Sequence, residues 1–463
     1  MIHVLAFRCR SRAWQSPRWL TTLFQLLALL VLSSPAYARP RPPIVPNLTG
    51  FGTLTVAGSG RHLSIPRTTI FNVTNLSDRG RGSLRACAEA RGPRTCIFSV
   101  GGVIKLSREI TVSSPFITIA GQTAPDPGVT LTNAGIKIST HNVLIQHIAI
   151  RPGDEREGAK PSERDGISIG AKPPYSAHHI VIDHVSLTWA IDENLSTAYP
   201  LTRDVTVANS IIAEGLHNSI HPKGPHSKGI LVGDGSKNIT LRNNLVAFNE
   251  ERNPYLKPGT SVEFMNNVVY GWGPKGGWSL CNVSNNTERD APILLSFVGN
   301  IYRPAPLSVI HPPIYAKKID ARSRIYTRDN LGPTSSGTAL VSATHVLPIR
   351  LGFITTPPVS SALRTALPVT ETLHAVLTAA GSRPAKRARH DARIVREVEM
   401  SSGTLKDCTT GCRRATGRIP RSRATYRGAK PPRHPFIDSN GDGYTNLENW
   451  LHKQARAVER ATR

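Results

Sequence analysis

Cysteine is scarce in this sequence, with six residues among 463. Their spacings do not match those of a zinc site, which excludes a cysteine-based metal centre. Cys9 lies in the N-terminal targeting segment, and two local disulfides are possible among the other five, Cys87 with Cys96 and Cys408 with Cys412, which would leave Cys281 odd. Pairing of this kind belongs to an oxidising compartment, although the connectivity is not fixed by the sequence.

Acidic side chains are also few, with 31 Asp and Glu against 57 Lys and Arg and a formal net charge of +26. A basic surface concentrates anions, so this balance favours a polyanionic partner such as an acidic polysaccharide. Charge alone does not separate a uronate polymer from nucleic acid. Part of the excess lies in the apolar-poor stretch 384–433, which is typical of a solvated linker or tail.

The apolar run Trp19–Leu32 is short for a membrane-spanning helix, which needs about 20 residues. Arginines precede the run, and Ala36-Tyr37-Ala38 is a small-x-small cleavage site. We therefore predict a signal peptide over residues 1–38 and a secreted protein, extracellular or periplasmic in a Gram-negative host. A membrane anchor is the alternative.

The remaining chain repeats one short pattern eight times, as alternating apolar residues followed by polar turn residues. The copies recur every 23 to 37 residues, beginning at Ile117, Val143, Ile180, Val205, Ile239, Val262, Leu295 and Ile325. Alternation with period two predicts half-buried strands, and recurrence with variable insertions indicates a solenoid. An antiparallel β-sandwich is the alternative, but its strands would recur at about 8 to 12 residues.

Asparagine recurs at the turns of the repeat, at the fifth or sixth position of the copies. Asn tolerates left-handed backbone and bonds to its own main chain. Stacked coils would align these amides into ladders, as in Asn244, Asn267, Asn300 and Asn330. The predicted fold is therefore an all-β, right-handed parallel β-helix.

The ends of such a solenoid need covering, because they expose strand edges and core. The segment 83–90 (SLRACAEA) predicts a short helix that caps the N-terminal end. The strand pattern fades after residue 345. We predict a signal peptide over 1–38, a β-helix domain over 39–345 and an irregular basic tail over 346–463.

Residues at equal offsets from successive strand starts should stack on one side of the solenoid. Glu193 and Arg252 each lie thirteen residues after a strand start, which predicts a separation of roughly 10 Å along the axis, because strands are about 4.8 Å apart. Lys223 and Lys257 share a second offset, of eighteen residues. Acids on one coil should therefore face bases on the next ones.

Four acids lie at two neighbouring coils of the predicted solenoid. Glu163 and Asp165 precede one strand, and Asp192 and Glu193 follow one coil later. Carboxylates that converge from adjacent coils could hold a hard cation such as Ca²⁺. The alternative is that they are solvated turn residues, as Asp and Glu on loops usually are.

A second candidate calcium site lies in the tail, at residues 438–449 (the tail loop). It resembles an EF-hand loop, with Gly443 at the sixth position and oxygen ligands predicted from Asp438, Asn440, Asp442, Tyr444 and Asn446. Position 12 is Asn449 instead of a bidentate Glu. An Asx-rich turn before a helix is the alternative.

Two motifs resemble the pectate lyases of polysaccharide lyase family one. Ile180-Val181-Ile182-Asp183-His184 is similar to the family's V-W-I-D-H segment, with Val181 in place of the aromatic residue. The segment 252–257 (RNPYLK) resembles the family's R-x-P-x-x-R motif, with Lys as its final cation. The resemblance covers roughly Phe71 to Gly277.

The resemblance implies roles for named residues. Arg252 would be the catalytic base, Lys257 a ligand for substrate carboxylate, and Lys228 or Lys223 a second active-site cation. Glu163, Asp165 and Glu193 would be calcium ligands, with Thr197 where the fourth carboxylate belongs and Asp192 as a possible substitute. Asp183 and His184 are expected to be core turn residues.

The implied reaction is β-elimination on polygalacturonate, an acidic polysaccharide, with Ca²⁺ as cofactor. We expect a monomer with no nucleic-acid or membrane partner. A polygalacturonase-type hydrolase and a non-catalytic polysaccharide-binding β-helix are the alternatives. An arginine base is unusual, since the pKa of a guanidinium exceeds about 12, so it requires neighbouring cations or alkaline pH.

Overall fold

The computed structural model describes residues 42–233, 235–274, 281–284, 291–311, 313–317, 320–334, 337–342, 354–416 and 424–460. The predicted signal peptide lies outside these residues, and so does the side chain of Cys281. The description below covers the unit that begins at Pro42.

Three sheets wrap around one core, and each coil of the chain contributes one strand to each sheet in turn. Sheet 1 contains β1 (Thr69–Val73), β2 (Arg94–Phe98), β5 (Ile117–Ala120), β8 (Val143–Gln146), β11 (Ala177–Asp183), β14 (Thr202–Ala208), β17 (Lys237–Arg242), β20 (Ser261–Met265), β23 (Leu294–Val298) and β26 (Arg324–Arg328). Sheet 2 contains β3 (Val100–Lys105), β6 (Val129–Thr132), β9 (Ile148–Arg151), β12 (Ser186–Thr188), β15 (Ile211–Ala213), β18 (Leu245–Ala247), β21 (Val268–Tyr270), β24 (Ile301–Arg303) and β27 (Leu331–Thr334), with β28 (Gly337–Ser342) and β29 (Thr425–Tyr426) antiparallel at its edges. Sheet 3 contains β4 (Ile110–Val112), β7 (Ile136–Ile138), β10 (Ile167–Ile169), β13 (Glu193–Thr197), β16 (Lys228–Val232), β19 (Tyr255–Leu256), β22 (Cys281–Ser284) and β25 (Ile314–Lys317).

The predicted repeat sets the register of sheet 1. Each of the eight strand starts pairs directly with the next, beginning with Ile117 opposite Val143 and ending with Leu295 opposite Ile325. All the other pairs within the three sheets are parallel too, apart from those of β28 and β29. The predicted parallel β-helix is confirmed.

The asparagine ladder is confirmed as well. The side-chain amide of Asn244 donates to the carbonyl oxygen of Asn267 at 3.0 Å, Asn267 donates to Asn300 at 3.1 Å, and Asn300 donates to Asn330 at 3.0 Å. The side chains are almost fully buried. Each amide also bonds to main chain, so the turns between sheets 1 and 2 carry their own buried hydrogen-bond network.

Helix α1 (Leu84–Ala88) covers the N-terminal end of the coils, as the sequence predicts. Ser83 caps it by accepting from the amide of Ala86, and Leu84 and Cys87 point into the central core. Cys87 forms a disulfide with Cys96 of β2, and a second disulfide joins Cys408 to Cys412. Both predicted pairs are present.

The C-terminal part is more ordered than the predicted irregular, solvated tail. It forms α2 (Val369–Ala379), α3 (Arg389–Glu399) and α4 (Asn446–Glu459). Val376 of α2 and Ile394 of α3 pack on apolar side chains of sheet 2, although the segment as a whole is basic. The boundary near residue 345 stays a prediction. No described helix is long and apolar enough to cross a membrane.

Helix α4 joins the stretch 42–61 to the coils. The ring of His452 bonds the carbonyl of Ile44 at 3.0 Å, and the Tyr444 hydroxyl donates to the carbonyl of Pro43 at 2.7 Å. Arg61 pairs with Glu448 at 3.0 Å. Segments some four hundred positions apart in the sequence are thus packed side by side.

A buried ion pair fastens α3 to sheet 2, and its loss should destabilise the fold. Arg151 and Asp391 lie 2.6 Å apart, with both side chains 1% exposed, and Asp391 also accepts from Ser186. We expect Asp391→Ala to lower the free energy of unfolding by about 3–5 kcal/mol, because it strands the buried charge of Arg151. Urea denaturation followed by circular dichroism measures the change.

Asp126 supplies the matched control. It also joins the coils to the C-terminal part, through Arg383 at 2.6 Å and Lys386 at 3.0 Å, but its side chain is 55% exposed. Asp126→Ala should cost at most about 1 kcal/mol. Equal losses in the two variants would contradict a structural role for the buried pair.

Candidate active site

Four consecutive strands of sheet 3 bring the predicted site residues together. Asp165 precedes β10, Asp192 and Glu193 stand at the start of β13, and Lys228 begins β16. Arg252 precedes β19. In register, Glu193 lies opposite Lys228, which forms a parallel bridge to Glu251. The predicted stacking of Glu193 with Arg252 therefore holds to within one residue.

Three carboxylates converge here, and we call Asp165, Asp192 and Glu193 the acid cluster. One carboxylate oxygen from each lies within 4.8 Å of the others. Asp165 is held in place because it accepts from the Ser168 hydroxyl at 2.6 Å and from the Glu193 amide at 3.3 Å. The phase of the coils brings acids from neighbouring turns to one point.

Glu163 does not join the acid cluster, although the sequence predicts it as a ligand. It ends the short 3-10 turn Pro161–Glu163 and is exposed. The reason is Arg164, whose buried guanidinium donates to four main-chain carbonyls of the loop 153–159 and anchors the chain there. Only Asp165, on the other side of this anchor, turns toward the cluster.

Arg252 reaches into the acid cluster. Its Nη1 forms an ion pair with Oε1 of Glu193, and its guanidinium carbon lies 5.7 Å from the centre of the Tyr255 ring. The backbone of Arg252 is left-handed, with φ of 65°, a conformation that costs free energy in a non-glycine residue and directs this side chain inward. The guanidinium is thus fixed beside the carboxylates.

The three predicted lysines have different positions. The ammonium of Lys228 lies 3.8 Å from Asp192 and 3.9 Å from Glu251, inside the site. Lys223 is exposed in the loop before β16. Lys257 follows β19, and its amide donates to the carbonyl of Val232. The predicted common phase of Lys223 and Lys257 is wrong, because the long loop before β16 shifts the count of residues along the coil.

Thr197 is not the gap in the cluster that the sequence register indicates. It lies at the far end of β13 from Glu193, opposite Ile169 and Val232, and its hydroxyl donates to Ser236 at 3.1 Å. The sequence prediction places Thr197 by counting residues back from Val205. This count fails because the turn between β13 and β14 does not have the length that the count assumes. Asp192 provides the third carboxylate instead.

Two histidines that sequence reasoning missed flank the acid cluster. The Nε2 atoms of His221 and His226 lie 3.6 Å and 3.7 Å from the carboxylate of Asp192, and the two rings are stacked. Both belong to the loop between β15 and β16. A signal was present: histidine recurs at 217, 221 and 226, within one of the longest insertions of the repeat.

Burial and neighbouring charge shift the acid–base properties of the site. Burial raises the pKa of Asp165 to about 7, the Ser168 hydrogen bond opposes this and the charge of Asp192 adds to it. Burial lowers the pKa of Arg252, against the opposite pull of Asp192, Tyr255 and Asp165. Burial also lowers the pKa of His221 and of His226. Strongly perturbed groups of opposite charge in one place are typical of a functional site.

The acid cluster fits a hard divalent cation. Three carboxylates from two coils offer oxygen ligands, and Asp192 Oδ1 is buried without a hydrogen-bond partner among the described residues. Burial is the main cause of the raised pKa of Asp165, and the negative charge of Asp192 raises it further, so the carboxylates repel one another. A cation would relieve that repulsion.

The tail loop is folded by its own side chains. Asp438 accepts from the amides of Gly441 and Gly443, and Asp442 accepts from the amide of Tyr444. Glu448, one place before position 12, instead caps α4 with Thr445 and pairs with Arg61. A calcium site at Asp438, Asn440, Asp442, Tyr444 and Asn446 stays a prediction.

Comparison with known proteins finds relatives of one kind, although no protein-family model matches the chain. A probable pectate lyase C of Neosartorya fischeri is 35% identical over 285 residues, which cover 61% of this chain and 60% of that protein. A probable pectate lyase C of Aspergillus fumigatus is 37% identical over 257 residues, 55% of this chain and 54% of that protein. The chain thus spans less than two thirds of the length of these relatives. The predicted resemblance to pectate lyases is confirmed.

Solved structures show the same fold. The structure of jun a 1, the major allergen from cedar pollen, superimposes with a TM-score of 0.50 at 16% identity. The match covers 72% of this chain and 92% of that protein. At this identity the likeness concerns the β-helix alone.

Proposed function

We propose that this chain is a secreted pectate lyase, which cleaves polygalacturonate by calcium-assisted β-elimination. The proposal is carried by one observation: Arg252, Lys228 and the acid cluster meet on consecutive coils of sheet 3. Sequence identity above a third with probable pectate lyases, over more than half of the chain, supports it.

In the proposed reaction, Arg252 in its neutral form takes the proton from C5 of a uronate residue. The electron pair of the C5–H bond becomes the C4=C5 double bond, and the glycosidic oxygen leaves with the pair of the C4–O bond and is protonated by solvent. The proton at C5 is only weakly acidic while the neighbouring carboxylate is charged. Cations around that carboxylate are therefore needed to stabilise the negative charge that develops.

We assign Lys228 and Lys257 to the neutralisation of the substrate carboxylate. Lys228 is held between Asp192 and Glu251, with Glu251 just before Arg252 in the chain, and Lys257 directly follows β19 on the same coil as Arg252. Bound Ca²⁺, held by Asp165, Asp192 and Glu193, would supply further positive charge and acidify the C5 proton. Lys223, which is exposed, could reach only a longer substrate chain.

The pH dependence of kcat/KM should identify the catalytic base. Burial lowers the pKa of Arg252, so the neutral fraction of its guanidine grows as pH rises toward that lowered value. We expect kcat/KM on polygalacturonate, at saturating calcium, to increase up to about tenfold per pH unit on the alkaline side of neutrality. Initial rates between about pH 7 and 10 measure this, and an optimum in the acid range would indicate a carboxylate base instead.

The absorbance of an unsaturated product tests the activity itself. Purified protein is incubated with polygalacturonate, with methylated pectin and with a second uronate polymer, with and without calcium. A lyase produces the alkene chromophore, a hydrolase produces reducing ends without it, and a binding protein produces neither. Folded protein that yields no chromophore on any of the polymers would overturn the proposal.

The proposed setting is extracellular. The two disulfides are consistent with an oxidising compartment, and the predicted signal peptide 1–38 would direct the chain there. We propose that the partner of this basic chain is an acidic polysaccharide. We also propose that the protein is a monomer and that it binds neither nucleic acid nor a membrane. Cell fractionation of the native host and light scattering of the purified protein test these points.

A further inference from the structure

Two buried histidines stand away from sheet 3, at turns that lead from sheet 1 to sheet 2. His147 follows β8 and His184 follows β11, so they occupy adjacent coils, and their rings are stacked with centroids 5.0 Å apart. The side chain of His147 is fully buried and that of His184 is 10% exposed. Glu459 of α4 reaches over them. We call these three residues the histidine cluster.

Nitrogen and oxygen atoms of the histidine cluster converge at ion-pair distances. Nε2 of His147 lies 3.3 Å from Oε1 of Glu459, and Nδ1 of His184 lies 3.8 Å from that oxygen and 3.0 Å from Oδ1 of Asp183. Neither nitrogen has an aligned hydrogen-bond partner within the described part of the chain. One nitrogen of each ring and one carboxylate oxygen of Glu459 thus lie within 4.8 Å of one another.

The surrounding residues fix the orientation of these groups. Nδ1 of His147 lies 2.9 Å from the carbonyl oxygen of Ser382 and must donate to it, so in the neutral ring the lone pair is on Nε2 and faces Glu459. The carboxylate of Asp183 is held by the amides of Gln146 and Asn209, each at 2.9 Å. Such outer contacts are what orient the ligands of protein metal sites.

The charge around the cluster needs compensation. Asp183 is fully buried and Glu459 is 24% exposed, so two carboxylates face two imidazoles. The guanidinium of Arg387 is committed to the carbonyls of Leu377, Thr378 and Ala380 at the end of α2. Either two protons on the histidines or one divalent cation would neutralise the carboxylates.

We propose that His147, His184 and Glu459 bind one divalent transition-metal ion of the zinc class, with Asp183 beside His184. Tetrahedral zinc with bonds of about 2.0–2.2 Å places its ligand atoms roughly 3.3–3.6 Å apart, close to the 3.3 Å and 3.8 Å that separate the two histidine nitrogens from Oε1 of Glu459. Two imidazole nitrogens favour zinc over calcium, which takes oxygen ligands. The exposed edge of Glu459 gives the ion a path from solvent.

This metal would be structural and would clamp α4 to the coils. Two ligands belong to turns of the β-helix and one belongs to the end of α4, so the ion would join parts of the chain that are otherwise held by packing. The site is independent of the proposed lyase activity. Its occupancy is therefore measured without reference to turnover.

The test uses the full chain, stripped with a strong chelator and titrated with Zn²⁺ by calorimetry and elemental analysis. His221 and His226, with Asp192, form a second group that could take the ion, so the reference protein is His221→Gln/His226→Gln. We expect this reference to bind one equivalent of Zn²⁺ and to gain several degrees in its unfolding temperature. With Co²⁺ it should show the visible absorption of a four-coordinate nitrogen and oxygen site.

In that reference, His147→Gln and Glu459→Gln should each weaken binding at least about tenfold and abolish the thermal shift. His141→Gln, in another stacked histidine pair, should change neither. If His147→Gln fails to fold, Glu459→Gln at the end of α4 still decides the question. No zinc uptake by the reference, or uptake that both variants leave intact, would show that the cluster holds protons only and would overturn the proposal.

Discussion

Arg252→Ala should reduce the formation of unsaturated product from polygalacturonate by about 10²–10⁴-fold, the contribution of a positioned general base. The structure gives the reason, since Arg252 is the buried base candidate that is fixed against Glu193 and pointed into the site. The loss should appear in kcat more than in KM. Absorbance of the product measures the rate, and circular dichroism confirms that the variant is folded.

Arg203 offers a matched control for this prediction. It pairs with its neighbour Asp204 on sheet 1, its side chain is 45% exposed, and it lies outside the proposed site. Arg203→Ala removes the same charge and should leave the rate within about twofold. A rate of Arg252→Ala within tenfold of the unchanged protein would refute its role as base.

Calcium removal should have an effect of similar size. Chelation should bring lyase activity to background, and added Ca²⁺ should restore it, because the carboxylate charge of the substrate is otherwise too poorly neutralised for loss of the C5 proton. Among single changes, we expect Asp165→Asn to raise the calcium concentration for half-maximal activity at least about tenfold. Rates measured over a buffered calcium series give this value.

Glu163 provides the sharpest comparison. It is two residues from Asp165 and also carries a carboxylate, and the sequence predicts both as ligands, but the anchored Arg164 leaves Glu163 exposed and outside the acid cluster. Glu163→Gln should therefore leave the calcium requirement unchanged. If the two variants shift it equally, the ligand set predicted from the sequence is right and the cluster as folded here is not the calcium site.

The fold was predictable because its main determinant is local. A period-two apolar pattern decides which side chains enter the core, and its recurrence requires one coil per repeat, so the register from Ile117 to Ile325 follows directly. The turn asparagines are equally readable, since each amide of the ladder bonds to the next coil. Such features need no knowledge of loop conformation.

The site was predictable only in part, because loops set it. Asp165, Glu193, Lys228 and Arg252 were found through coil phase and the resemblance, whereas Glu163 and Thr197 were misplaced. Phase counting assumes that loops have equal length, and the loop that carries His221 and His226 does not obey this. The buried guanidinium of Arg164 has no signature in the sequence pattern.

Helix α3 was missed for a different reason. The stretch 384–433 has few apolar residues, but the few in α3 fall on one face, and Asp391 finds its partner Arg151 two hundred and forty positions away. Composition averages over a segment and therefore conceals such a face. Ion pairs between residues so far apart in the chain produce no signal in the local sequence pattern.

The contact between α4 and the stretch 42–61 bears on how the protein is made. Ile44 and His452 are 408 positions apart, so on a chain that is synthesised from its N-terminal side the stretch 42–61 has no α4 to contact until the end of the chain has been made. The coils can stack on one another as they appear, since neighbouring strands are close in sequence. Docking of α4 is then the last step of folding. Before this step, α4 and the stretch 42–61 are accessible to proteases.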